Sequence, residues 1–135
     1  MSPGEQISKN ETKNGKNLIY ITVDALRADR IRGKGNFGLN LPNIESFQEK
    51  AVNFINAVAP GTYTRLSVPA FYTSTLPMEI YKMGIDSIIP EPFLASILKA
   101  TGYSTALFHS NPFLSSRFGY DRGFDVYENM GFGGE

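Results

Sequence analysis

The hydrophobic pattern of the chain is organised around Asn17 to Arg30, NLIYITVDALRADR. Leu18, Ile19, Tyr20, Ile21 and Val23 form a nearly unbroken apolar run rich in β-branched side chains. Such a run predicts a strand covered on both faces, as in a parallel sheet, because a half-wet strand would alternate apolar and polar positions. It ends on Asp24, and in open α/β sheets sites form beyond the carboxyl ends of the strands. A carboxylate there either ligates something in a crevice or caps the turn into Ala25-Leu26-Arg27, and the stretch alone leaves both readings open.

Arg30 to Asn40, with three glycines, reads as a loop. Its Gly-x-Gly piece lacks the third glycine and the strand-to-helix position of a dinucleotide fingerprint. Pro42 then opens a helix, with Leu41, Ile44, Phe47 and Ala51 at helical spacing. Val52 to Val58 (VNFINAV) alternates and predicts a strand with one solvated face. Pro60-Gly61 turns the chain into TYTRLSVPAFY, where Pro69 suits a first helical turn and places Ser67 or Val68 at a helix N-terminus. The N–H groups and dipole of a helix start favour anions and the oxyanion form of a hydroxyl, although Ser67 could equally be a simple N-cap. Glu79 to Pro92 reads as a proline-rich connection. Phe93 to Thr101 (FLASILKAT) predicts a short amphipathic helix stopped by Gly102, and Tyr103 to Phe108 predicts a second buried strand. His109, Ser110 and Asn111 follow at that strand's carboxyl end, and His109 is the single histidine. A lone histidine is usually structural, but its position resembles that of Asp24. RFGYDRGFDVYEN then leads through a glycine-punctuated loop into a short strand near Phe124 to Tyr127. The alternation of strands and helices predicts an α/β fold with a mainly parallel sheet and flanking helices.

Bulk composition narrows the field of functions. At 135 residues and 41% hydrophobic content the chain can build one domain core. The 13 basic and 13 acidic residues balance, and no Lys/Arg run exists, so nothing favours nucleic acid or an anionic membrane as partner. The absence of cysteine rules out disulfides, thiolate metal sites and a cysteine nucleophile, and fits a cytoplasmic setting. No apolar run approaches the roughly 20 residues that span a bilayer. Residues 1–16 are polar and predict a disordered tail, leaving 17–135 as the domain.

Three segments together resemble the sulfatase family of the alkaline phosphatase superfamily, and specifically its N-terminal part. They are NLIYITVDALRAD, LPNIESFQEKAVNFINAVAPG and SVPAFYTSTLP, followed by GYSTALFHSN and FGYDRGFD. The resemblance implies an alkaline-phosphatase-like α/β fold and a hydrolase of sulfuric or phosphoric esters that uses a divalent metal ion (Ca, Mg, Mn or Zn). It matches Asp24 to the metal-ligand aspartate and Ser67 to the nucleophile, which in the family also contacts the metal. His109 and Asn111 fall in the region that supplies substrate-contacting residues, and Arg65 lies near enough in sequence to meet a bound anion. The expected substrate is a small sulfate or phosphate ester.

The chain departs from the family pattern at two positions and in length. Sulfatases convert the first residue of C/S-x-P-x-R to formylglycine, whereas here the fifth position is Phe71, so an unmodified serine is expected. The opening strand of the family often ends in two aspartates, and Asp24 is followed by Ala25. The family's later Asp-His ligands have no counterpart, so the chain is expected to be an N-terminal piece of the catalytic domain and inactive alone. The rival readings are a phosphotransferase or phosphomutase of the same superfamily, and a non-catalytic anion- or partner-binding α/β module.

Overall fold

The computed structural model describes residues 15–31, 40–84 and 87–131. The expected polar tail, and all but the ends of the expected glycine loop, lie outside these residues. The chain divides into two compact units, Ile19–Ala59 and a larger one built mainly from Pro60–Glu135.

The larger unit carries the core. Helix α3 spans Thr64–Thr73, α4 spans Pro77–Lys82 and α5 spans Leu94–Ala100. Strand β1, Ala106–His109, pairs in parallel with β2, Val126–Asn129, in the register Ala106–Val126 to His109–Asn129. The connection between them holds two 3-10 turns, Pro112–Leu114 and Ser116–Phe118. Parallel pairing of two strands with helical turns in the crossover is the α/β arrangement that the alternating sequence predicted.

Why these segments fold as they do follows from their side chains. Tyr72, Ile89, Phe93, Ala95, Leu114 and Tyr120 form one buried cluster, with Val68, Leu94, Phe118, Phe124 and Tyr127 packed against it. Phe93 is fully buried, stacked on Tyr72 at 5.0 Å between ring centroids and edge-on to Tyr120 and Phe124 at 6.2 Å each. These offset and T-shaped pairs are the arrangements that the ring quadrupole favours. The approach to β1 is fixed by Asp125, whose carboxylate accepts from the Thr105 amide at 2.9 Å and pairs with Lys99 at 2.8 Å. Thr105 in turn donates from its hydroxyl to the Gly123 carbonyl at 2.6 Å. Gly123 has φ +75°, and a Cβ there would meet the Ala95 carbonyl carbon at 2.6 Å, so the chain crosses α5 only because this residue is glycine.

The smaller unit holds α1, Ala28–Ile31, and α2, Pro42–Gln48. Pro42 opens α2 as expected, with the Glu45 amide donating to the Leu41 carbonyl at 2.9 Å. A bidentate pair of 2.8 and 2.7 Å joins Arg27 to Asp29.

Two expected strands are absent. Leu18 to Val23 forms no strand, and its apolar side chains are exposed, Ile19 at 81% and Ile21 at 78%. Val52 to Val58 likewise forms no strand and is exposed throughout. An all-apolar parallel strand needs a hydrogen-bonded neighbour and a covering layer on each face, and an alternating one needs cover on one face, whereas the side chains of both runs are exposed. The expected strand at Tyr103 to Phe108 starts three residues later and ends one later, as β1, because Thr105 is engaged by Asp125 and Gly123. Glu79 to Pro92, expected to be irregular, includes the end of α4, started by Pro77.

Candidate active site

Ser67 lies in the first turn of α3 but does not cap it. The N-cap is Tyr63, with φ −150° and ψ 162°, so the helix starts three residues earlier than Pro69 suggested. The Ser67 amide donates to the Tyr63 carbonyl at 3.1 Å, as does its hydroxyl at 3.1 Å. Its N–H is therefore not one of the orphan donors of the helix start. Pro69 sits inside the helix and is buried, and the Thr73 hydroxyl donates to its carbonyl at 2.8 Å. Gly61 passes directly over this turn: a Cβ there would meet Leu66 Cβ at 2.6 Å and the Ser67 amide nitrogen at 3.1 Å. Its missing side chain is what lets the Pro60-Gly61 corner approach the serine.

Arg65 shares α3 with Ser67, but side chains two positions apart on a helix do not face each other. Its guanidinium lies over Phe118 at 4.8 Å and Phe113 at 5.6 Å from the ring centroids. With Pro69, Ile80, Ile89 and Tyr120 it lines a cleft. Burial raises the Tyr120 phenol well above its ordinary pKa, with Tyr72 adding to the shift and Arg65 opposing it, so Tyr120 stays a neutral hydroxyl.

His109 ends β1 and is buried, with both ring nitrogens engaged. Nδ1 lies 3.1 Å from the Asn111 carbonyl, which can only accept, so Nδ1 carries hydrogen and donates. Nε2 lies 2.9 Å from the Tyr127 hydroxyl, which donates to the Leu114 carbonyl at 2.6 Å. Asn111 caps the following 3-10 turn, its Oδ1 accepting from the Phe113 amide at 2.9 Å. His109 and Asn111 are thus brought together at the carboxyl end of β1, as a strut and a cap. Tyr127, which knits this loop to β2, escaped the sequence reading. Its only signal there was an aromatic hydroxyl in a short strand that also carries Glu128 and Asn129.

Asp24 stands in the smaller unit, in an exposed turn with Ala25, and no strand leads into it. Ala25 has φ +55°, a left-handed conformation that costs a non-glycine residue roughly 1–2 kcal/mol. The corner after Asp24 is therefore a strained one, of the kind that clusters at functional positions. Among the described residues no group of three or more His, Cys, Asp or Glu side chains could hold a metal ion. Catalytic sites use about three protein ligands, so these residues alone do not complete a cation site.

A family model described as Sulfatase matches residues 16–132. Comparison with curated proteins and with solved structures finds no match. No described helix is long and apolar enough to cross a membrane.

Proposed function

Since this chain belongs to the sulfatase family, whose members are ester hydrolases of the alkaline-phosphatase-like α/β class, we propose that it contributes the nucleophile and one metal ligand of a sulfuric or phosphoric ester hydrolase. The observation that supports this reading is the family match over residues 16–132, a range that contains both Asp24 and Ser67. Ser67 is the nucleophile. Its oxygen attacks sulfur or phosphorus in line with the leaving alcohol, the ester bond to that alcohol breaks, and water then cleaves the resulting serine ester.

The environment of Ser67 constrains that step. Its hydroxyl donates to a backbone carbonyl, which holds the oxygen in place but cannot take its proton. A base must therefore come from outside the first turn of α3. The family generally uses a divalent cation, and Asp24 and Ser67 are the two oxygen donors that this chain would give to it. When bound, such an ion screens the anionic ester and lowers the hydroxyl pKa. The residues described do not hold it unaided, so further donors are required. Phe71 at the fifth position of the Ser67 segment removes the signal for conversion to formylglycine and leaves serine chemistry, which suits phosphate as well as sulfate esters.

The test is turnover of aryl sulfates and aryl phosphates by the native gene product, with and without divalent cations, beside Ser67→Ala and Asp24→Asn. Loss of about a hundredfold or more in both variants is expected. Unchanged turnover in both would overturn the assignment. The 135-residue chain alone is expected to show little turnover, and cation-dependent turnover from it that Ser67→Ala abolishes would show that two donors suffice.

A further inference from the structure

Tyr120 is 2% exposed, yet its hydroxyl has no hydrogen-bond partner among the described residues. Every described side-chain nitrogen or oxygen that is sealed from solvent does have one. The hydroxyl is therefore the part of Tyr120 that still opens on free space. That space is the cleft which Tyr120 lines with Arg65, Pro69, Ile80 and Ile89, all within the larger unit. Its empty volume is about 360 Å³, the open mouth included, at the lower end of the range of small-molecule sites. Buried polar groups are almost always paired, so an unpaired one aimed into a cleft marks a partner from outside the chain.

The cleft does not share the face of Ser67. Arg65 and Pro69 stand one turn apart on α3 and face the same way, whereas Ser67 is two positions from each.

The walls select the chemistry of the ligand. Pro69, Ile80 and Ile89 are buried and apolar, and Ile88 and Phe113, 60% and 44% exposed, extend the apolar surface. An ion would give up its hydration there with little in return. The Arg65 guanidinium, spread over Phe118 and Phe113, further disfavours a cation. Burial keeps the Tyr120 phenol neutral, so it has a proton to donate. Tyr72 and Phe93 meet its ring edge-on at 5.9 and 6.2 Å and fix its direction. A donor aimed in advance loses little freedom on binding.

We propose that this cleft binds a small, neutral, mainly apolar molecule through a carbonyl oxygen that accepts from the Tyr120 hydroxyl. This goes beyond the hydrolase reading and does not depend on it.

Titration of the 135-residue chain by NMR tests the proposal with three probes of similar shape: acetophenone, ethylbenzene, which lacks the acceptor, and benzoate, which is charged. The wild-type chain is expected to bind acetophenone roughly three- to tenfold more tightly than ethylbenzene, the range of one net hydrogen bond. Shift changes are expected at Ile89, Phe113 and Phe118. Tyr120→Phe gives up no hydrogen bond within the chain. It is expected to keep its affinity for ethylbenzene and to bind acetophenone no better. No binding of either neutral probe, equal affinities in the wild type, or shifts confined to other residues overturn the proposal. So does a preference for acetophenone that survives in Tyr120→Phe, or benzoate bound more tightly than acetophenone. The wild-type comparison needs no variant, so it decides the matter even where Tyr120→Phe fails to fold.

Discussion

Phe93→Ala removes the side chain on which the larger unit is built. Phe93 is fully buried, stacks on Tyr72, meets Tyr120 and Phe124 edge-on, and lies under the Arg122 guanidinium at 5.8 Å. Truncating a buried phenylalanine to alanine costs about 3–5 kcal/mol, from lost transfer energy and the cavity left behind. The three aromatic pairs carry about 0.5–1.5 kcal/mol each beyond their buried area, but they share one ring and do not add fully. The expected loss is therefore near the upper end, about 4–5 kcal/mol. At about 0.05–0.15 kcal/mol per residue, a unit the size of Pro60–Glu135 has a total stability of roughly 4–11 kcal/mol. Phe93→Ala thus removes a large share of the stability of this unit or all of it. Phe93→Leu, which refills most of the volume, should cost only about 1–2 kcal/mol. Urea unfolding followed by tyrosine fluorescence suits a chain with seven tyrosines and no tryptophan. A Phe93→Ala loss below about 1 kcal/mol would refute the cluster as the source of the unit's stability.

Other substitutions test the loops around the sheet. Gly123→Ala adds a Cβ that meets Ala95 C at 2.6 Å and Ser96 Cα at 2.7 Å, at φ +75°; thermal melting should show a severe loss, and an unchanged midpoint would refute the close approach to α5. Tyr127→Phe leaves the Leu114 carbonyl and His109 Nε2 without their shared hydroxyl and should cost about 1–3 kcal/mol, read by denaturation, with faster amide exchange at Leu114. The Asp125 carboxyl is held below the usual carboxylate range, first by its hydrogen bond from Lys99 and then by the Thr105 amide, with desolvation opposing. A depressed folded-state value means that its contribution is complete above the ordinary carboxylate range, near pH 4, and is lost as pH falls through the folded value. Melting midpoints measured from neutral to acid pH should fall more steeply in the wild type than in Asp125→Asn over that window.

The elements legible in the sequence were those whose boundaries are set locally. Pro42 started α2, Gly102 ended α5 with φ +94°, and the apolar run before His109 became β1. Ser67 was legible as a helix-start residue but was placed three residues off. Tyr63 caps α3 with an extended backbone, and a proline is tolerated in the helix interior where its neighbours pack around it. Leu18 to Val23 was read as a buried strand because composition reports what a segment requires, not whether the cover is present. The roles of Gly61 and Tyr127 depend on contacts across loops, and no spacing within the sequence encodes those. Arg65 was singled out only by its proximity to Ser67 in the sequence, and its place over Phe113 and Phe118 depends on a loop that no local spacing reports.

The nucleophile assignment is the centre of the account, and trapping the covalent intermediate tests it most directly. The native gene product, supplied with divalent cation and an activated aryl sulfate or aryl phosphate, is quenched in acid during turnover. Peptide mass spectrometry is then used to locate any transferred sulfuryl or phosphoryl group. The account predicts the group on the peptide bearing Ser67, and neither adduct nor turnover in Ser67→Ala. Turnover that persists in Ser67→Ala, or a transferred group found on a different residue, would contradict it.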